Sequence, residues 1–156
     1  MNQQNQIFSG VAVIIENKKG ELLLHLRDEN APYMKNQWCL LGGRIDNKSQ
    51  ETPEHAAARE INEEIGIVVN PKSLKLFKEI ILKDGASKSY IFHTILNLSS
   101  DEIKLGEGKE FRFFPKRELL DMLKKLEYTN SFLEVLTEFV KLKQLNLSSS
   151  TSRIKI

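Results

Sequence analysis

The order of its predicted elements places this 156-residue chain in the α/β (α+β) class, as an α/β sandwich with a mixed, partly antiparallel sheet. Short apolar runs rich in β-branched residues dominate the first half of the chain. One well-capped helix lies in the middle, and two amphipathic segments follow near the end. This order lacks the regular alternation of strands and helices that a doubly wound parallel sheet requires.

The strand candidates are short and bounded by turn-forming residues. Asn17-Lys18-Lys19-Gly20 is a turn between the first two strands, and Asp84-Gly85 joins a later pair as a hairpin. The predicted strands are residues 8–16, 21–27, 38–41 (leading into the pair Gly42-Gly43), 74–83, 88–96 and 110–114.

The central helix has clear start and stop signals. Thr52 can cap its N-terminus, Pro53 suits the first helical position, and Gly66 is a good terminator. Two later helices are predicted at 116–126 and 130–145, and the apolar stripe of the second either packs on the sheet or serves an interface. We expect one domain over 1–147 and a flexible tail over 148–156.

The composition excludes several classes of protein. The net charge is only +2 and acidic residues are interleaved with basic ones, so no phosphate-tracking stripe for nucleic acid is predicted. The apolar runs are too short to cross a membrane, and the first residues do not resemble a secretory signal. A single cysteine, Cys39, fits a reducing compartment, and we therefore expect a cytoplasmic protein.

Three glutamates on the central helix give the strongest functional signal. Glu60, Glu63 and Glu64 stand at positions i, i+3 and i+4, so their carboxylates share one helix face. Like charges at this spacing destabilise an isolated helix, whereas a polyvalent cation would reverse that effect. Oxygen ligands favour a hard ion, and the predicted cofactor is Mg²⁺ or Mn²⁺.

From Gly43 onward the chain resembles the Nudix hydrolase family. The family's sequence box has a glycine, five residues, a glutamate, seven residues, and then Arg-Glu-aliphatic-x-Glu-Glu-x-Gly-aliphatic. Glu51 is followed by seven residues and then by Arg59-Glu60-Ile61-Asn62-Glu63-Glu64-Ile65-Gly66-Ile67, which matches throughout. Seven residues rather than five separate Gly43 from Glu51, and we interpret the excess as a two-residue insertion within 46–50 that lengthens a surface loop.

The resemblance implies a Nudix-like α/β/α sandwich and metal-dependent hydrolysis of a diphosphate linkage in a nucleoside diphosphate joined to another group X. It makes Glu63 and Glu64 metal ligands, and Glu60 a ligand, the general base, or both. Metal ions would neutralise the phosphates and lower the pKa of the attacking water.

The resemblance also implies supporting residues. Arg59 would orient a glutamate, Glu51 would brace Arg59, and the pair Gly42-Gly43 would let the backbone approach a metal-bound phosphate. A further metal-binding carboxylate is expected after the later strands, where Glu110 is preferred over Glu107 because it directly precedes a strand.

Other polar residues are less decisive. Arg27 closes the second strand and could bind a phosphate of the substrate, or could be an ordinary surface arginine. The histidines His25, His55 and His93 have no metal-binding spacing with Cys39, and all four residues are interpreted as structural.

The expected partner is a small-molecule nucleotide, with the protein a monomer or a homodimer. A nucleoside triphosphate, including an oxidised or otherwise non-standard one, is preferred because the chain is compact. Its products would be a monophosphate and pyrophosphate. The alternatives are ADP-ribose, a nucleotide sugar or a dinucleoside polyphosphate, and a catalytically silent nucleotide-sensing domain.

Overall fold

The computed structural model describes residues 9–81, 85–125 and 131–151, and its middle layer is a mixed β-sheet. The strands of this sheet are β1 (Ser9–Glu16), β2 (Leu22–Leu26), β3 (Trp38–Cys39), β4 (Leu41–Arg44), β5 (Lys75–Ile81), β6 (Lys88–Ile95) and β7 (Glu110–Phe114). The β1 strand is central: it runs parallel to β6 on one edge, and antiparallel to β2 and β4 on the other. The pairs β2–β3, β2–β7 and β5–β6 are also antiparallel.

Helices cover both faces of the sheet, because alternate strand residues supply two separate cores. Helix α1 (Pro53–Ile65) packs on the face that includes Val13 and Phe92. Helices α2 (Lys116–Lys125) and α3 (Ser131–Thr151) cover the other face, and the buried stripe of α3 packs there on Ile14. The predicted α/β/α sandwich with a mixed sheet is therefore confirmed.

The predicted caps of α1 are present. Thr52 accepts a hydrogen bond from the His55 backbone N–H at 3.3 Å, and Pro53 is the first helical residue. Gly66 adopts the left-handed conformation with φ of 71° and donates its N–H to the Asn62 carbonyl oxygen. The helix that carries the glutamates thus begins and ends where its sequence predicts.

Some boundaries differ from the prediction. Gly42 and Gly43 lie inside strand β4 rather than beyond the end of the strand predicted at 38–41, because β4 pairs with β1 across both glycines. Helix α3 continues to Thr151, beyond the predicted end at residue 145. The hairpin residue Asp84, the first residue of the strand predicted at 8–16, and tail residues 152–156 lie outside the described residues.

A buried carboxylate ties α2 and α3 to the end of β1. Glu16 accepts hydrogen bonds from Lys116 at 2.5 Å and His93 at 3.0 Å, and Lys143 lies 3.8 Å away. Burial acts to raise the pKa of Glu16, but these neighbours outweigh it and the pKa is lowered. Burial has the opposite effect on a histidine, and it lowers the pKa of His93.

Within the described residues, no helix has the length and apolar character of a membrane span.

Candidate active site on helix α1

The three glutamates of α1 differ in burial, although the sequence presents them as one set. Glu64 is only 3% exposed and points at the sheet. The Glu60 side chain is 13% exposed and the Glu63 side chain 55% exposed. The carboxylates therefore form a series that runs from the protein interior to solvent along one helix face.

Glu64 is held by two hydrogen bonds that reach across the core. Its Oε2 lies 2.6 Å from Nδ1 of His25, and its Oε1 accepts the backbone N–H of Gly42 at 2.8 Å. Burial acts to lower the pKa of His25, but contacts with Cys39 and the hydrogen bond to Glu64 raise it to about 9. The His25 ring thus contacts a glutamate of α1 directly, a contact that its interpretation as a structural residue did not anticipate.

Glu60 lies between Arg59 and the glycine strand. Burial raises the pKa of Glu60, the Arg59 guanidinium lowers it, and the charges of Glu64 and Glu63 raise it further. Its Oε1 accepts a hydrogen bond from Nη1 of Arg59 at 2.7 Å. The net effect is a raised pKa, so this partly buried carboxylate takes up a proton more readily than an exposed glutamate does.

Arg59 gathers the carboxylates around one guanidinium group. Its Nε and Nη2 donate to the two oxygens of Glu51 at 2.8 and 3.1 Å, and Nη2 also donates to the Arg44 carbonyl oxygen at 2.8 Å. Its Nη1 donates to Glu60 and to Glu63, the latter at 3.0 Å. These are the contacts that the predicted orienting role of Arg59 and bracing role of Glu51 require.

The two glycines are required for close approach, each to a different neighbour. A Cβ at Gly43 would lie 2.3 Å from Oε1 of Glu60. A Cβ at Gly42 would lie 2.1 Å from the carbonyl oxygen of Val11 in β1. Gly43 therefore makes room for the glutamate, whereas Gly42 makes room for the sheet.

The two extra residues before Glu51 are contained in an exposed loop. Asp46 donates its N–H to Oε2 of Glu51 at 2.9 Å, and its carbonyl oxygen accepts the Glu51 N–H at 3.3 Å. The Asp46 side chain accepts the Lys48 N–H, so the loop folds on itself. The insertion lengthens this loop and leaves the contact between Glu51 and Arg59 in place.

The structure does not bring Glu110 to the glutamates of α1. Glu110 pairs with Leu26 at the start of β7, where alternate residues face opposite sides of the sheet. Phe111 and Phe113 pack on the core beneath α1, whereas Phe114 packs on the core beneath α2 and α3. Glu110 shares the face of Phe114, which is the face turned away from α1, so its role as an additional ligand stays a prediction that this arrangement does not favour.

Glu107 is the better placed of the two acidic residues near β7. It lines a small cavity together with His25, Arg27 and Gly108. Its loop also contacts α1, because Gly106 donates its N–H to the Glu64 carbonyl oxygen at 2.9 Å. Glu107 therefore lies beside the residue that holds Glu64.

Arg27 borders a cleft of about 150 Å³ next to the glycine strand. Its Nε donates to the Tyr33 carbonyl oxygen at 3.1 Å, and its guanidinium lies 5.8 Å from the centre of the Tyr33 ring. The cleft is also lined by Gly42 and Gly43, and Tyr33 is 60% exposed. An arginine, an exposed aromatic ring and a glycine strand thus meet at one opening.

The donor set fits a hard divalent cation. Glu60 and Glu63 each place one oxygen within 3.0 Å of the same Arg59 nitrogen, so two carboxylates already converge on a positive charge. Carboxylate oxygens are the ligands that Mg²⁺ and Mn²⁺ prefer. No ready-made group of three or more histidine, cysteine or acidic ligands was found among the described residues. The fit therefore rests on the chemistry of the donors and not on a preformed set of three ligands.

Comparisons with known proteins agree with this architecture, an α/β/α sandwich whose central helix carries a braced set of glutamates. The model of the NUDIX domain matches residues 7–136, and the chain therefore belongs to the NUDIX domain family. An uncharacterised Nudix hydrolase of Listeria monocytogenes is 28% identical over 109 residues, covering 70% of this chain. The match covers 64% of the length of that relative. The predicted Nudix hydrolase family is confirmed.

Solved structures show the same fold. A NUDIX hydrolase from Nitrosomonas europaea has a TM-score of 0.69 at 25% identity, covering 90% of this chain and 73% of the other. The MutT protein of Methanosarcina mazei has a TM-score of 0.68 at 23% identity, covering 92% and 99%. The NUDIX domain of Shewanella oneidensis NrtR, solved with ADP-ribose, has a TM-score of 0.66 at 16% identity, covering 93% and 94%.

Proposed function

We propose that this chain hydrolyses a diphosphate linkage in a nucleoside diphosphate-X substrate, with Mg²⁺ or Mn²⁺ as its cofactor. The observation that carries the proposal is the carboxylate cluster around Arg59, which joins Glu51 of the preceding loop to Glu60 and Glu63 of α1, the helix that also carries Glu64. The three carboxylates outnumber the single Arg59 guanidinium, so a divalent cation would reduce the negative charge that remains, and the same ion would neutralise a diphosphate. Enzymes of the family act on phosphoric anhydrides, and this chain retains the second half of the family's box.

Each residue of the cluster has a proposed role. Glu60, Glu63 and Glu64 bind the metal, which when bound would neutralise the phosphates and lower the pKa of the attacking water. Glu60 is also proposed to accept the proton of that water. Its carboxylate lies next to Gly43, where the backbone is expected to approach the phosphate that the water attacks. Arg59, braced by Glu51, keeps Glu60 and Glu63 oriented.

The proposed substrate is a nucleoside triphosphate, including an oxidised or non-standard one, cut to a monophosphate and pyrophosphate. The cleft supports this because it is lined by Gly43, which lies next to Glu60, and by Tyr33, an exposed ring on which a base can stack. Arg27 at the same opening is proposed to contact a phosphate or the base. We further propose a cytoplasmic enzyme that is a monomer or a homodimer.

Release of phosphate products from a panel of nucleotides, with Mg²⁺, with Mn²⁺ and with EDTA, tests the proposal. We expect cleavage of a nucleoside triphosphate that EDTA abolishes and Mg²⁺ restores. Glu63→Gln should lose most of this activity, because it removes a metal-binding charge at an exposed position where the fold does not depend on it. If the unaltered protein cleaves no nucleotide with either metal, the hydrolase proposal fails. If Glu63→Gln is fully active, the assignment of the site fails instead.

The same panel separates the alternatives. Cleavage of ADP-ribose or of a nucleotide sugar, but not of triphosphates, would identify the larger class of substrate. The Shewanella domain that was solved with ADP-ribose has the same fold, which makes ADP-ribose the first compound to compare. Binding of nucleotide without cleavage would indicate a catalytically silent sensor, and the retention of Glu60, Glu63 and Glu64 argues against it.

A further inference from the structure

The Glu64 carboxylate has a side-chain partner outside helix α1, and this partner is His25 of strand β2. We propose that His25 is a positioning residue that orients Glu64 for metal binding. The inference rests on the proposed function, because it assigns a partner to one of the proposed ligands. It goes beyond the family's sequence box, since His25 lies in strand β2, outside that box.

The contact between the two side chains is short and shielded from water. His25 Nδ1 and Glu64 Oε2 are 2.6 Å apart, and each side chain is 4% exposed. A carboxylate in such a place would be costly without hydrogen bonds to both oxygens. The backbone N–H of Gly42 serves the other oxygen, so His25 is the side chain that determines how the carboxylate is turned.

His25 is itself held firmly, as a residue that positions another must be. It pairs with Cys39 on one side of β2 and with Phe111 on the other. Its ring meets the Phe111 ring edge-on, with the centroids 5.4 Å apart. Because strand pairing fixes the backbone and Phe111 fixes the ring, Nδ1 can keep one direction toward Glu64. Outer partners of metal ligands act in this manner in metalloenzymes generally.

The alternative is that His25 only stabilises the core. That role would make substitutions costly for folding but would leave the metal affinity of the folded protein unchanged. The two roles are therefore separated by measuring metal binding itself, apart from catalysis. Mn²⁺ serves as the probe, because free Mn²⁺ gives an electron paramagnetic resonance signal that disappears when the ion is bound.

Three variants of the full chain supply the comparison. His25→Asn places an amide nitrogen where Nδ1 stands and should keep most of the Mn²⁺ affinity. His25→Gln carries its amide to the position of Nε2, and His25→Leu has no donor. Both should bind Mn²⁺ about 10- to 100-fold more weakly, the effect typical of a lost outer partner. Thermal unfolding of each variant shows that the protein measured is folded, and if His25→Leu does not fold, the comparison of Asn with Gln decides.

A second background tests whether His25 acts through Glu64. In Glu64→Gln, adding His25→Gln should cause no further loss of Mn²⁺ affinity, because the two residues are coupled. Equal affinity of His25→Asn and His25→Gln, within about twofold of the unaltered protein, would overturn the proposal. Absence of Mn²⁺ binding by the unaltered protein would instead overturn the proposed function and this inference together.

Discussion

Substituting Gly43 by alanine should displace the Glu60 carboxylate without destabilising the fold. The new Cβ would lie 2.3 Å from Oε1, 2.5 Å from Cδ and 2.7 Å from Oε2 of Glu60. Ordinary contacts begin at 3.4 Å, so the carboxylate must retreat by about 1 Å. These atoms are at the end of a flexible side chain, and they can move without a shift of the backbone. The variant should therefore fold normally with Glu60 displaced.

The expected cost in activity follows from that displacement. A misplacement of about 1 Å at a reacting group can reduce the rate about a hundredfold, or about 2.7 kcal/mol of activation free energy. The assay is Mg²⁺-dependent release of pyrophosphate from the best nucleotide substrate, with thermal unfolding measured on the same samples. Gly42→Ala is the matched control. Its Cβ would lie 2.1 Å from the backbone oxygen of Val11, and no movement of a side chain can relieve that clash.

The two alanine variants should therefore show opposite patterns. Gly43→Ala should lose activity with nearly unchanged thermal stability, whereas Gly42→Ala should unfold at a clearly lower temperature because strand β1 must shift. Full activity of a folded Gly43→Ala would refute the reasoning about Glu60. An equal loss of stability in both variants would show that Glu60 does not absorb the clash.

Two further predictions follow from charged contacts. Arg59→Lys should lower activity about 10- to 100-fold, because one ammonium group cannot reproduce the forked contacts with Glu51 and Glu60, while Arg112→Lys on the surface serves as an active control. Equal activity of the two lysine variants would contradict the bracing role. The pKa of Glu16 is lowered in the folded state, so the unfolded chain takes up a proton first as pH falls. The free energy of unfolding should then decrease as pH falls below the ordinary value of 4.5, and Glu16→Gln should flatten that decrease in urea titrations at about pH 3 to 7. An unchanged acid limb would rule out this contribution.

Helix α1 and the layer arrangement were predictable because their signals are local. Thr52, Pro53 and Gly66 define the helix through backbone chemistry that operates within a few residues. The two short strands before them were not resolved by the sequence, since β3 has two residues and β4 four, too few for an alternating pattern. The pairing of Gly42 and Gly43 with β1 is a long-range contact that no local pattern records.

Glu110 illustrates a different obstacle, which is the choice between two faces of a strand. Strand β7 has apolar residues on both faces, because Phe111 and Phe113 alternate with Phe114. Alternation therefore shows that Glu110 and Phe111 face opposite ways, but it does not say which face α1 covers. The pairing of His25 with Phe111 settles this, because His25 contacts Glu64 of α1.

The unequal burial of Glu63 and Glu64 shows the limit of helical periodicity most directly. Each glutamate follows a fully buried alanine, Ala56 or Ala57, by seven residues, so two helical turns give both the same relation to the core. Yet Glu64 is 3% exposed, whereas the Glu63 side chain is 55% exposed. The difference arises because His25 and the backbone of Gly42 supply hydrogen bonds beneath Glu64. A charged residue can be buried only where the rest of the chain provides its partners, and these come from strands β2 and β4.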